Sequence, residues 1–189
     1  MKTMIYPVVA YGDPVLKKRA EAIGKEYPEL PKIIENMFET MYKSQGVGLA
    51  APQIGLSIRL FVIDGSPFDD EDDSLSGFKK VFINAQITEE SGDPWKMNEG
   101  CLSIPRVRED VLRKESIVIE YFDEHWNKHV ETYSGIAARI IQHEYDHIEG
   151  VLITDHISPL RRRLIQKKLD DISKGKINVE YKMRFPVKK

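Results

Sequence analysis

Two histidines four residues apart, with a glutamate directly after the first, stand in the run His143-Glu144-Tyr145-Asp146-His147. Four residues make about one helical turn, so on a helix both imidazoles project to one side and can share a metal ion. Glu144 then stands beside that ion, placed to take a proton from a water that the ion acidifies. Ile136 and Ile140 fall on the same helical face as His143 and His147, which turns that face toward an apolar interior. Imidazoles there lose hydrogen bonding and charge solvation unless they are satisfied, and coordination satisfies them.

A catalytic site of this kind takes three protein ligands and leaves one position for water or substrate. The longer pattern H-E-x-x-H-x-x-G-x-x-H is followed as far as Gly150 and then fails, because Ile153 stands where a third histidine belongs. Two sources of a third ligand stay open. Cys101, the one cysteine of the chain, lies in Glu99-Gly100-Cys101-Leu102-Ser103, and a thiolate is a good ligand for zinc or ferrous iron. Downstream carboxylates, Asp155, Asp170 or Glu180, would instead complete a peptidase-like set of two histidines and a carboxylate. His125 and His129 share the four-residue spacing but fall in a stretch that reads as a hairpin, where they do not align as on a helix. His156 sits in a short connection and is given no role.

The elements that hold these residues follow from hydrophobic period and from caps. A long helix is expected from an N-cap at Ser134 to a stop at Gly150, and it carries the histidines. Residues 31–44 place Ile33, Ile34, Met37, Phe38, Met41 and Tyr42 on one helical stripe. Asp13-Pro14 opens a short helix expected to run through Leu16 to Ile23. Residues 46–55, rich in glycine and alanine, read as a tight loop, and residues 59–64 as a strand. Residues 80–87, 116–122 and 129–133 are β-rich, the last two joined as a hairpin across residues 123–128. Ser158-Pro159 starts another helix with a basic segment, and residues 178–184 alternate like a final strand. The acidic run Asp69 to Asp73 lacks the spacing of a calcium loop and reads as a solvated surface loop. The expected fold class is α+β, antiparallel sheets packed around the central histidine-bearing helix.

Composition narrows the function. The chain has 189 residues, 41% hydrophobic, which suits one compact core and one catalytic domain over residues 1–189. Lys plus Arg number 28 and Asp plus Glu 30, a net charge of −2, which excludes a globally basic nucleic-acid coat. A single cysteine forms no intrachain disulfide. No window approaches the roughly 18 apolar residues of a membrane span, and the N-terminus has no apolar signal core. The expectation is a cytoplasmic protein with neither DNA nor membrane as partner.

Three ordered motifs give the chain a family likeness. Residues 46–53 resemble the G-x-G-x-A-A-x-Q motif of the bacterial peptide deformylases, residues 99–103 their E-G-C-x-S, and residues 142–147 their Q-H-E-x-D-H. The resemblance implies that Cys101, His143 and His147 bind the metal, that Glu144 is the catalytic acid and base, and that Gln53 and the Leu102 backbone N–H stabilise an oxyanion. It implies ferrous iron as cofactor, with Zn2+, Ni2+ or Co2+ as substitutes, and formyl-methionyl nascent peptides as substrate, cleaved to formate and a free N-terminus. It further implies that backbone groups around Val47 and Gly100 pair with the extended peptide. The acidic run is longer than the usual family loop and the strand-like tail is one that many members lack; both are expected to bear on partners and not on chemistry.

Substrate contacts can also be reasoned from size. Formyl is the smallest acyl cap, so a tight cavity near Gly46, Gly48 and Ala50 would reject larger ones. Ile136 and Ile140 are placed either to line an apolar pocket for the methionine side chain or to pack the core. Arg108 is placed to assist the peptide or to make a surface ion pair. Arg161, Arg162, Arg163, Lys167 and Lys168 form a basic helical surface that could touch the ribosome or could be a solvated face balanced by Asp170 and Asp171. The alternatives to a deformylase are a zinc peptidase with a carboxylate third ligand and a non-catalytic, metal-stabilised peptide-binding module.

Overall fold

The computed structural model describes residues 3–68 and 75–186. The acidic run Asp69 to Asp73 lies outside the described residues. In chain order the elements are β1 (Val8–Val9), α1 (Leu30–Lys43), β2 (Gly48–Ala50), β3 (Leu60–Asp64), β4 (Lys79–Cys101), β5 (Ile104–Phe122), β6 (Lys128–Ser134), α2 (Gly135–Glu149), α3 (Pro159–Ser173) and β7 (Met183–Arg184). Strands β2 to β6 form one antiparallel sheet in sequence order, while β1 and β7 make a separate parallel pair. The molecule is therefore α+β, as its patterning predicts.

Strand β3 shows how the layers arise. Its side chains alternate between two faces, with Phe61 and Ile63 packed in the cluster that holds Ala138, Ile141 and Ile148 of α2. Leu60 and Val62 point the other way, into the cluster that holds Met37 and Met41 of α1. Both faces of this part of the sheet are covered, which is why β3 reads as an uninterrupted apolar run. Each fully buried Ile or Phe here contributes about 1.5–3 kcal/mol of burial, enough to fix α2 firmly beneath β2 and β3. A third cluster joins Ile165, Leu169 and Ile172 of α3 to Leu16, Val107 and Val111.

Helix α2 starts after Ser134, whose backbone is extended although its side chain caps no N–H, and stops at Gly150 with φ 76°. That left-handed conformation favours glycine, and a side chain there would also meet the Lys17 backbone at 2.9 Å.

Four local expectations are corrected. The helix expected from Leu16 to Ile23 is a 3-10 turn, Pro14–Lys17. Beyond it the chain turns extended, because Glu21 bridges Ile58 and its carbonyl accepts the Arg59 N–H at 2.8 Å. Tertiary pairing there displaces local helix. The expected loop over residues 46–55 holds strand β2, paired to β3, and a 3-10 turn at Ala51–Ile54. The β-rich stretches 80–87 and 116–122 are parts of a much longer hairpin, β4 with β5, whose register shifts between Ser91 and Pro94. Gly92 and Pro94 signal a break in the sequence, yet a bulge absorbs them. The tail expected as a strand over residues 178–184 is extended only at Met183–Arg184, parallel to β1.

Candidate metal centre and active site

Three segments far apart in sequence meet at one point. Cys101 is the last residue of β4, just before the two-residue turn Leu102-Ser103 into β5. His143 and His147 lie one turn apart on α2, with ring centroids 5.2 Å apart. One ligand atom from each of the three lies within 4.8 Å of the others, and the Cys101 Sγ is 3.4 Å from the His147 Nε2. An ion held at about 2.0–2.3 Å by nitrogen and sulfur wants its donors roughly 3.4–3.8 Å apart, so the set fits such an ion with small adjustment. Among the described residues, neither Asp155 nor Asp170 nor Glu180 joins this group. Asp155 is instead held by Lys17 at 2.6 Å and Asp170 by Gln166 at 2.8 Å.

The His143 ring is oriented from behind. Its Nδ1 lies 2.9 Å from the Glu99 carboxylate, which leaves Nε2 for the metal side. Glu99 is itself gripped by Arg113 at 2.8 and 3.0 Å and by Arg139 at 3.0 Å. Burial alone would raise the Glu99 carboxyl, but the bonds from His143 and Arg113 hold it well below the usual carboxylate range. Arg113 reaches on to Asp146 at 2.7 Å, and Asp146 also meets His156 at 2.7 Å. Arg139 also donates to the Val111 and Trp95 carbonyls through its two terminal nitrogens. Burial likewise disfavours the Cys101 thiolate, yet the His147 charge and contacts to both imidazoles bring its pKa down to about 5. A sulfur ready to ionise beside two imidazoles is a donor set for a divalent cation.

Glu144 is buried, and its Oε2 has no hydrogen-bond partner. Burial raises its pKa, with the His143 and His147 charges opposing. Gly48 leaves room for it: a Cβ at position 48 would come within 2.7 Å of the Glu144 Cγ and Cδ. This close approach accounts for the small residue in β2. The Gln53 amide is aimed by its own backbone turn, since its Oε1 accepts the Ala50 N–H at 2.9 Å. Its Nε2 then lies 3.7 Å from the Cys101 Sγ and 3.3 Å from the Ser103 Oγ.

A cavity of about 720 Å³ opens over these groups. Val47, Gly48, Gly100, Leu102, Arg108 and Ile140 all line it, together with Gln53, Cys101, His143 and Glu144. Ile136 stands outside this lining and packs on the α2 core cluster. The Val47 carbonyl already accepts the Asp64 N–H at 2.9 Å. Arg108 makes no ion pair among the described residues and bonds instead to Asn98, at 2.7 Å to both side-chain and backbone oxygen. His129 is held by Asp123 at 2.9 Å in the β5–β6 hairpin, away from the centre.

Sequence reasoning passed over three contributors. Glu99 was visible only as a motif letter, Arg113 not at all, and the tail was expected to leave the chemistry alone. Residues 178–181 in fact wall the cavity, and the Tyr181 hydroxyl donates to the Leu102 carbonyl at 2.7 Å. Burial first, and then the Cys101 charge, raise the Tyr181 phenol above its ordinary value. No local pattern marks that contact, because it joins residues 79 positions apart.

A thiolate, two imidazoles and a buried carboxylate on an α+β frame define a metal-dependent hydrolase. The family model for polypeptide deformylase matches residues 5–163. The peptide deformylase of Christiangramia forsetii is 62% identical over 190 residues, covering 97% of each chain. That of Flavobacterium johnsoniae is 57% identical over 193 residues, covering 98% of each. Among solved structures, a peptide deformylase from Legionella pneumophila superposes with a TM-score of 0.79 at 35% identity, over 92% of this chain and 98% of that one. The chain belongs to the peptide deformylase family, hydrolases that remove the formyl group from nascent peptides. No helix among the described residues is long and apolar enough to cross a membrane.

Proposed function

We propose that residues 1–189 act as one catalytic domain that releases formate from formyl-methionyl nascent peptides, with Cys101, His143 and His147 holding one ferrous ion. Zn2+, Ni2+ or Co2+ would occupy the same donors, since a thiolate and two imidazoles accept all of them. The observation that carries this is the convergence of the three donors within 4.8 Å beside a buried Glu144 with an unpartnered oxygen. When bound, the ion supplies Lewis acidity that makes a water acidic near neutral pH.

The chain's own groups do the rest. Glu144 takes the proton from the attacking water, and its burial, which raises its pKa, suits it to hold that proton. Negative charge grows on the formyl oxygen as water adds. Gln53 Nε2 and the Leu102 N–H donate to it, each worth about 2.7–4 kcal/mol where such donors are preorganised. Gln53 donates without titrating, and its anchored Oε1 holds the amide in the donating orientation. Glu144 then returns the proton to the departing amine. Backbone groups at Val47 and Gly100 flank the extended peptide, with Arg108 at the cavity wall, and Ile140 gives the methionine side chain an apolar surface.

We assign the protein to the cytoplasm, where nascent chains emerge, with no DNA or membrane partner. The exposed face of α3, with Arg161, Arg162, Arg163, Lys167 and Lys168 around the exposed Leu160 and Leu164, is proposed as a transient ribosome contact. Arg161 is tied to Glu109 at 2.7 Å and Arg162 lies 3.5 Å from Asp155, so Arg163, Lys167 and Lys168 carry most of the free charge. Reversing those three charges should reduce co-sedimentation with ribosomes at low salt.

The test of the activity is formate release from a formyl-Met peptide against an acetyl-Met control, with metal content measured. Selective release supports the assignment; equal rates, or none with ferrous or nickel forms, would overturn it.

A further inference from the structure

The match to the family model ends at residue 163, yet the chain continues past α3 and returns to the cavity. Two backbone bonds tie the returning tail to β1, from Val8 N–H to the Lys182 carbonyl at 2.8 Å and from Ala10 N–H to the Arg184 carbonyl at 2.9 Å. Met183 and Phe185 pack on the third core cluster, and Arg184 lies 3.5 Å from Asp13. The tail is thus built into the fold, and it delivers Tyr181 to the tip of the β4–β5 hairpin.

That tip consists of Leu102 and Ser103 alone, directly after the sulfur ligand. It is fixed on three sides. The Tyr11 N–H donates to the Ser103 carbonyl at 2.8 Å, Gln53 Nε2 lies 3.3 Å from the Ser103 hydroxyl, and the Tyr181 hydroxyl donates to the Leu102 carbonyl at 2.7 Å. Only the last bond acts on Leu102 itself: it pins the peptide plane after the Leu102 Cα, and the plane before it, which carries the Leu102 N–H, turns on that same Cα.

We propose that Tyr181 is a positioning residue for deformylation: by holding the Leu102 carbonyl, its hydroxyl keeps the Leu102 N–H aimed at the formyl oxygen. This rests on the assignment of Leu102 as an oxyanion donor. Misaligning such a donor costs turnover while leaving ground-state binding nearly intact, because the oxyanion exists only as the reaction proceeds.

The test is Tyr181→Phe in the metal-loaded protein, which removes one oxygen and keeps the ring. Turnover of a formyl-Met peptide should fall about ten-fold, with KM within about two-fold, and with metal content and melting temperature unchanged. Unchanged kcat would overturn the proposal, as would a loss matched by lost metal or a lowered melting temperature, which marks a merely structural bond. The wild-type control separates this from the activity itself: an inactive wild type overturns the deformylase assignment and this proposal with it, while an active wild type with an equally active variant overturns this one alone.

Discussion

Glu99 Oε2 and His143 Nδ1 lie 2.9 Å apart, so the same three-residue segment that carries the Cys101 sulfur also orients one of the two imidazoles beside it. One hairpin end therefore organises two members of the metal-capable group Cys101, His143 and His147. The carboxylate is ionised and buried, and it is balanced by Arg113 and Arg139.

Glu99→Gln removes that charge and leaves Arg139 without its carboxylate partner, while Arg113 keeps Asp146 at 2.7 Å. Metal affinity should fall about 10–100-fold, as for other partners that orient a ligating histidine. Unfolding free energy should drop by about 3 kcal/mol, because breaking a buried ion pair strands the remaining charge. Competitive metal titration and urea denaturation measure the two effects. Wild-type metal affinity in this variant would dismiss the orienting role.

Gly48→Ala should lower kcat by about 100-fold, since the new methyl group would stand 2.7 Å from the Glu144 Cγ and Cδ and displace its carboxylate. Overpacking at this spot should cost about 1–3 kcal/mol of stability. A variant that turns over normally would show that Glu144 need not sit where it does.

Much of this frame was legible in the sequence, and what was not has a physical cause. Helix α2 announced itself through its apolar period, Ser134 and Gly150, all local signals. The long β4–β5 hairpin was hidden because Gly92 and Pro94 break its pattern, and only pairing across the hairpin carries the strands past them. Spacing alone left the downstream carboxylates open as the runner-up to Cys101, since the 41 residues between Cys101 and His143 say nothing about distance; family motifs singled Cys101 out, and the folded chain brings it to the histidines. The Val8 to Met183 pairing joins the two ends of the chain and left no local trace.

Away from the centre, Glu131 governs a pH effect. Burial would raise its carboxyl, but bonds from Tyr121, Tyr133 and Lys80 bring it down to about 2. An unfolded glutamate titrates near about 4.3, so the native state favours the ionised form. The resulting stability is fully present above about pH 5 and is lost as the pH falls toward 2. Glu131→Gln should therefore lose less stability than wild type between pH 6 and about pH 3, read from urea midpoints at both pH values. Its side chain is about a third exposed, so salt should shrink the difference. Parallel losses in the two proteins would contradict this.

A ferrous ion beside the Cys101 thiolate makes an oxidisable pair. The iron-loaded protein should lose formate-releasing activity on aeration, while the nickel-loaded protein keeps it. Turnover assays on both forms, before and after exposure to air with metal content verified, decide the point; an iron form that stays fully active would argue against iron as the working metal.

X-ray absorption spectroscopy of the metal-loaded protein tests the centre most directly. One sulfur at about 2.3 Å and two imidazole nitrogens at about 2.0–2.1 Å should appear around a zinc ion, with the sulfur gone in Cys101→Ala. A coordination sphere of nitrogen and oxygen alone, unchanged by that substitution, would contradict the account.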